Sequence, residues 1–256
     1  PLYFVYICTF FPCILCIDRI LFIHTGDYMY RKAMAQLISW NEKESGKPLL
    51  IRGARQTGKT WLMKEFGRSQ FDDFAYINFE VNERMRLLFE STVETDSLLS
   101  GIQIETGKKI DYRRHLIIFD EIQEAPGALR SLKYFAEDER NFMIISAGSF
   151  LGVSLHQGSS FPVGKIEFLD LYPMDFEEFL IASNSEELVE ILKKPDYSLL
   201  SIFRSKFFHL VKQYFVIGGM PEVVHNYIQN NDFAEARYTQ NNILAAFEQD
   251  FSKHSP

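Results

Sequence analysis

A glycine-rich segment between a short apolar run and a helical pattern carries the clearest chemistry in the sequence. Residues 53–60 read Gly-Ala-Arg-Gln-Thr-Gly-Lys-Thr, which satisfies the pattern Gly-x4-Gly-Lys-Thr. The two glycines let the backbone turn tightly and approach a phosphate closely, and the N–H groups that open the next helix attract anions. Lys59 is expected to neutralise β- and γ-phosphate oxygens, and the Thr60 hydroxyl to ligate Mg²⁺. The segment therefore predicts a phosphate-binding loop for a nucleotide.

The expected nucleotide-binding set is the whole loop with the first residue beyond it. These residues are Gly53, Ala54, Arg55, Gln56, Thr57, Gly58, Lys59, Thr60 and Trp61. An apolar strand at Leu49-Leu50-Ile51 precedes the loop and a helical pattern follows, which is the context that the motif requires. For Arg55 two interpretations stay open, a contact with phosphate or a solvated side chain.

A second motif supplies the carboxylates that a phosphate loop needs. Leu116-Ile117-Ile118-Phe119 reads as a buried strand, and it ends in Asp120-Glu121. Ligands bind at the carboxyl ends of strands in open α/β sheets, so both acids are placed at the site. Asp120 is expected to hold Mg²⁺, and Glu121 to orient and deprotonate the attacking water. This pair favours an ATPase over a P-loop kinase or a small GTPase.

Further site residues follow less directly. The fourth predicted strand ends at Ser146-Ala147-Gly148-Ser149, and Ser149, with Ser146 next, is the candidate to sense the γ-phosphate. A cation that stabilises the transition state is also expected. Its candidates, which the sequence does not separate, are Lys165, Arg130 and Arg140.

Apolar periodicity predicts an α/β fold, a P-loop NTPase three-layer sandwich with a parallel sheet of about five strands. The expected strands are residues 49–51, 74–79, 115–119, 142–146 and 166–169. At least one of them, residues 74–79, lies between the phosphate-loop strand and the Asp120 strand, which matches the additional-strand class. The expected helices are residues 30–44, 60–67, 82–105 and 126–138, followed by a helical subdomain at 175–182, 185–193, 198–215, 221–229 and 232–251. Pro221 stands where a helix begins.

Composition bounds the remaining possibilities. A net charge of −7 argues against broad electrostatic capture of nucleic acid. All three cysteines lie before residue 17, so neither a disulfide framework nor a zinc site is expected. Residues 1–28 begin with a very apolar stretch that Pro12 interrupts, and we expect an N-terminal extension outside the fold, with a membrane role only if that extension is real. The predicted location is cytoplasmic.

Five motifs in order resemble the prokaryotic AAA-type ATP-binding proteins of the archaeal ATPase and STAND-related group. They are the phosphate loop, Ile-Ile-Phe-Asp-Glu-Ile-Gln-Glu, Ser-Ala-Gly-Ser, Leu-Tyr-Pro-Met-Asp-Phe-Glu-Glu-Phe-Leu and Gly-Gly-Met-Pro-Glu. The resemblance implies an ATPase domain at residues 29–171 and a helical subdomain at 172–256, truncated before a C-terminal domain of unknown function. It also implies the same roles for Lys59, Asp120, Glu121 and Ser149. Members often have arginine where this chain has Lys165, so an arginine-type role there is in doubt.

The expected function is Mg-dependent binding and hydrolysis of ATP that drives or gates a conformational change. The alternative is a nucleotide-gated module with low turnover that acts through a protein or nucleic-acid effector. A P-loop kinase is a third reading, which Glu121 disfavours. Assembly into a homo-oligomer is one expectation. The expected cofactors are ATP and Mg²⁺.

Overall fold

The structure is a computed structural model, and it describes residues 29–43, 45–149 and 164–254. The expectations for residues 1–28, including the three cysteines and the apolar stretch, fall outside this part of the chain. None of the helices in the described ranges combines the length and hydropathy needed to span a bilayer.

The first part of the chain forms a five-stranded parallel sheet in the order β2-β3-β4-β1-β5. Its strands are β1 (Leu49–Arg52), β2 (Asp73–Asn78), β3 (His115–Asp120), β4 (Ile144–Gly148) and β5 (Glu167–Asp170). Helix α1 (Ala33–Glu42) precedes β1. The helices between the strands are α2 (Lys59–Gln70), α3 (Glu83–Ser91), α4 (Thr95–Thr106) and α5 (Pro126–Glu137). This α/β architecture confirms the predicted fold class.

Both faces of the sheet are covered because alternate residues of β3 point into different cores. Ile117 and Phe119 pack with apolar residues of α3, α4 and α5 on one face. Leu116 and Ile118 pack with residues of α1 and α2 on the other. A continuous apolar run is what a strand buried on both faces requires, so the carboxyl end of β3 is held rigidly.

The two strands that precede the motifs are not neighbours, as the sequence predicts. However, the strand between them is β4, whereas β2 lies at the outer edge beside β3. The assignment of residues 74–79 to the intervening position is therefore wrong. Periodicity identifies strands but carries no information on their lateral order.

The second part of the chain is helical, with its own apolar cluster around Phe179, Ile217 and Val223. Its helices are α6 (Phe176–Ala182), α7 (Glu186–Lys193), α8 (Tyr197–Ile202), α9 (Arg204–Ile217), α10 (Pro221–Asn230) and α11 (Phe233–His254). Proline occupies the first turn of α10, as expected.

Two predicted helices are each two helices in the structure. Residues 82–105 divide into α3 and α4, because Thr92 is extended and its hydroxyl accepts a hydrogen bond from the Glu94 N–H. Residues 198–215 divide at Phe203, and the Asp196 side chain caps the first piece. Neither break contains glycine or proline, so the apolar pattern runs through both without a visible stop signal.

Candidate nucleotide-binding site

The phosphate loop links β1 to α2 in a conformation that depends on its glycines. Gly58 has φ +87° immediately before α2, a left-handed value that glycine adopts without a steric penalty. A Cβ on Gly53 would lie 2.3 Å from the Leu171 carbonyl oxygen. The Thr57 hydroxyl donates to the Ala54 carbonyl at 2.9 Å and closes the loop. The loop therefore presents the amino end of α2 at the carboxyl edge of the sheet.

Lys59 folds back over the loop that precedes it. Its ammonium donates to the carbonyl oxygens of Gly53, at 3.1 Å, and Ala54, at 2.6 Å, and the residue is 5% exposed. Burial lowers the pKa of this ammonium, while Glu121 and Asp120 act to raise it. Arg55 also acts to lower it, so that side chain lies within electrostatic range of Lys59.

Asp120 lies at the centre of the site, 1% exposed, and both its carboxylate oxygens accept hydrogen bonds. Thr60 Oγ1 donates to Oδ2 at 2.6 Å, and Tyr76 donates to the same oxygen at 2.9 Å. The Glu121 N–H donates to Oδ1 at 3.1 Å. Burial and the Asp120 carboxylate raise the pKa of Tyr76, so its phenol remains a protonated donor. The fold thus joins the two residues that the sequence assigned to Mg²⁺.

The donors at this point suit Mg²⁺. A hydroxyl and a carboxylate are hard oxygen ligands, and Mg²⁺ is commonly held by one or two such groups together with nucleotide phosphates and water. No cluster of three or more His, Cys, Asp or Glu side chains that could hold a metal alone occurs in the described ranges. Thr60 and Asp120 therefore match a site that the phosphates of a nucleotide would complete.

Glu121 leaves β3 in a left-handed conformation, with φ +49°, and its carboxylate has two side-chain partners. Gln123 Nε2 donates to Oε2 at 2.6 Å. The Ser149 hydroxyl, just after β4, lies 3.3 Å from the same oxygen. Ser149 is thus placed beside Glu121, whereas Ser146 is buried and donates to the Leu49 carbonyl of β1 at 3.1 Å.

The three candidate cations are each paired with carboxylates. Lys165 lies 3.1 Å from Glu137, and Arg130 lies 2.9 Å from Glu90. Arg140 bridges Asp138 and Asp96 at the adjoining ends of α4 and α5. These ion pairs thus do not involve Asp120 or Glu121.

Arg31, which precedes α1 and is 4% exposed, connects the loop to the helical region. Its guanidinium donates to the Thr57 carbonyl at 2.8 Å and to the Tyr172 carbonyl at 2.6 Å. It also pairs with Glu178 of α6 at 3.2 Å. Glu178 and Asp175 form a capping box at the start of α6. One buried side chain therefore touches the phosphate loop, the segment after β5 and the first helix beyond it.

A cavity of about 330 Å³ opens beside the start of α2. Its walls come from the segment before α1, from the phosphate loop and α2, and from α10. The lining residues are Met29, Arg31, Gly58, Trp61, Pro221, Glu222 and His225. The cavity therefore adjoins the phosphate loop and has one wall in each part of the chain.

Three residues of this site escaped the sequence analysis: Tyr76, Gln123 and Arg31. Tyr76 and Asn78 lie on one face of β2, and two residues with polar groups at the carboxyl end of a strand are a usable signal. Gln123 lies two residues after Glu121 within the motif itself. Nothing local distinguishes Arg31, because its partners are 26 to 147 residues away in the chain.

The fold and the site define a P-loop nucleotide-binding domain of the additional-strand class. A family model described as an AAA domain matches residues 45–180, more than half of the chain, and the chain belongs to this AAA family. A second model, described as a domain of unknown function, matches residues 208–256. That match lies in the helical region and agrees with the C-terminal domain of unknown function that the resemblance implies.

One archaeal solved structure supports the same fold, and two others are more distantly similar. The Walker-type ATPase PABY2304 of Pyrococcus abyssi superposes with a TM-score of 0.55 at 16% identity, covering 91% of this chain and 78% of that one. The Orc1 protein of Aeropyrum pernix in complex with DNA has a TM-score of 0.42 at 13% sequence identity. The match covers 62% of this chain and 50% of that one. PCH-2 of C. elegans has a TM-score of 0.38 at 12% sequence identity, and the match covers 63% of this chain and 47% of that one. No curated protein matches the chain.

Proposed function

We propose that this chain binds ATP with Mg²⁺ and hydrolyses it. The observation that carries the proposal is the contact between Thr60 and Asp120, 2.6 Å apart beside the phosphate loop, with Glu121 as the next residue. The assigned roles are Gly53–Trp61 for the nucleotide, Thr60 and Asp120 for the metal, and Glu121 for the water. Mg²⁺, when bound there, would neutralise charge on the phosphate oxygens.

The chemistry follows from the positions of this chain's own groups. Lys59 supplies a positive charge to the β- and γ-phosphates. Burial lowers the pKa of its ammonium, and a phosphate bound beside it would favour the charged form. Glu121 accepts a proton from water as the water oxygen bonds to the γ-phosphorus. The bond from that phosphorus to the bridging oxygen breaks, and ADP leaves. Ser149, beside Glu121, is placed to respond to loss of the γ-phosphate.

The cavity beside Gly58 and Trp61 is the proposed place for the nucleotide base. It adjoins the amino end of α2, where the phosphates would bind, and its remaining wall is α10 of the helical region. Arg31 ties the loop carbonyl of Thr57 to α6. A nucleotide would therefore contact both parts of the chain, and its binding or hydrolysis would change how they sit together.

The proposal is tested by ATP turnover in Mg²⁺ with three variants. Glu121→Gln should keep nucleotide affinity and lower turnover by about 10²- to 10⁴-fold, the usual contribution of a general base. Lys59→Ala should lose binding itself. Glu124→Gln is the matched control, since Glu124 is an exposed glutamate three residues further on. Equal turnover by wild type and Glu121→Gln would show that hydrolysis does not use this site.

A second function, a nucleotide-gated module with low turnover, is favoured by the ion pairs of Lys165, Arg130 and Arg140. If the chain carries no cation for the transition state, a second copy or another protein must supply it. Specific activity measured over a hundredfold range of protein concentration separates the two functions. A rise with concentration indicates a cation from a second copy, and tight ATP binding with a constant, negligible rate indicates the module.

A further inference from the structure

Tyr76 reaches the site from the edge strand of the sheet. In the pairing of β2 with β3, Tyr76 lies opposite Ile118, and Asn78 lies opposite Asp120. Tyr76 is thus one diagonal step from Asp120, a distance that the long phenol side chain spans. Its hydroxyl donates to Asp120 Oδ2 at 2.9 Å. This contact comes from β2, which lies on the side of β3 away from β1 and the phosphate loop.

The ring of Tyr76 is itself held in place. The ammonium of Lys64 lies 3.8 Å from the ring centroid, which is within the range of a cation–π contact. Lys64 is one helical turn beyond Thr60 on α2, so the two residues lie on the same face of that helix. The amide of Asn78 approaches the hydroxyl at 3.5 Å. The ring of Tyr76 therefore packs between its own strand, β2, and helix α2, and its hydroxyl is directed toward Asp120.

The carboxylate of Asp120 needs such support because it is almost fully buried. Thr60 donates to the same Oδ2, and the backbone of Glu121 donates to Oδ1. The Thr60 oxygen is also the group assigned to the metal, whereas Tyr76 has no second assigned role. Hydrogen bonds from outside the ligand set orient metal-binding carboxylates, and removing them commonly lowers metal affinity 10- to 100-fold.

We propose that Tyr76 is a positioning residue that holds Asp120 in the orientation required for Mg²⁺. The inference rests on the proposed function, since it assigns Asp120 to the metal. It adds a residue on the outermost strand to the metal site. It also explains why a tyrosine, and not a phenylalanine, stands at this position of β2.

The test is the affinity of a fluorescent ADP analogue, measured with Mg²⁺ and again with EDTA. Wild type should bind more tightly with Mg²⁺. In EDTA, the affinity of Tyr76→Phe for the analogue should match that of wild type within about twofold. The increase in affinity that Mg²⁺ provides should be about tenfold smaller in the variant than in wild type. Tyr112→Phe is the matched control, because that ring packs against Phe142 on the other side of the sheet. Lys64→Met, which keeps the hydroxyl but frees the ring, should lose a smaller part of the gain.

The outcomes separate this inference from the proposed function. If wild type gains nothing from Mg²⁺, the assignment of the metal to Thr60 and Asp120 is wrong. If Mg²⁺ increases the affinity of wild type and of Tyr76→Phe equally, the metal site is supported and the role assigned to Tyr76 is wrong. A general loss of structure would weaken binding in EDTA as well, and that result would also overturn the positioning role. In turnover assays, Tyr76→Phe should raise the Mg²⁺ concentration for half-maximal rate more than it lowers kcat.

Discussion

At the scale of single residues, the contact between Gln123 and Glu121 constrains the proposed base. Gln123 donates to the carboxylate at 2.6 Å, and among the described residues its own buried Oε1 has no hydrogen-bond partner. Gln123→Glu would place a second carboxylate against the first. Two carboxylates that share a site cannot both ionise readily, so the pKa of one of them rises. The acid limb of the pH profile of kcat should therefore move to higher pH.

The matched variant for this experiment is Gln123→Met, which removes the hydrogen bond without adding charge. It should move the acid limb in the same direction but less far, because the Glu121 carboxylate loses a hydrogen-bond donor without gaining a neighbouring charge. A Gln123→Glu profile that overlays the wild-type profile would mean that Gln123 and Glu121 are apart in the working enzyme.

The phosphate loop and the Asp120-Glu121 pair were predictable because their signals are local. Each depends on a few consecutive residues, and parallel strands bring their carboxyl ends to one edge. Tyr76 and Arg31 were not found because their roles depend on which elements lie side by side. Periodicity gives the strand that contains Tyr76, but only the order β2-β3 brings its hydroxyl to Asp120.

At the scale of secondary-structure elements, the buried pair of Arg31 and Glu178 joins the start of α1 to α6. Arg31→Met would leave the Glu178 carboxylate buried without its cation, which typically costs about 3–5 kcal/mol. Urea denaturation should show a loss of this size in the free energy of unfolding. Lys43→Met is the control, because its exposed pair with Glu167 should contribute less than about 1 kcal/mol.

A double variant tests whether the loss of stability comes from the unpaired, buried Glu178 carboxylate. Arg31→Met with Glu178→Gln replaces that carboxylate by a neutral amide of the same shape, so part of the stability should return. If the double variant is less stable than Arg31→Met alone, the capping role of Glu178 outweighs its charge, and the explanation by a buried charge is wrong.

At the scale of the whole molecule, the cavity beside the phosphate loop has walls from both parts of the chain. A nucleotide bound there should therefore contact both parts. The chain has two tryptophans, and they differ in position. Trp61 lines the cavity, whereas Trp40 is a buried residue of α1 and packs against Phe66 of α2. A nucleotide base in the cavity would change the surroundings of Trp61 and leave those of Trp40 unchanged.

Tryptophan fluorescence should therefore change on addition of Mg-ADP, and Trp61→Phe should abolish that change while binding persists. Binding in the variant is measured by its thermal shift, since a ligand that binds only the folded state stabilises it by about 2.7 kcal/mol at a hundred times its Kd. A fluorescence change that survives in Trp61→Phe would place the base away from this cavity. Loss of both signals in a variant whose unliganded melting temperature matches wild type would mean that the indole ring supplies binding energy, which also places the nucleotide against it. The wall formed by α10 would then be within reach of the same ligand, and this contact is what a nucleotide-driven movement of the helical region requires.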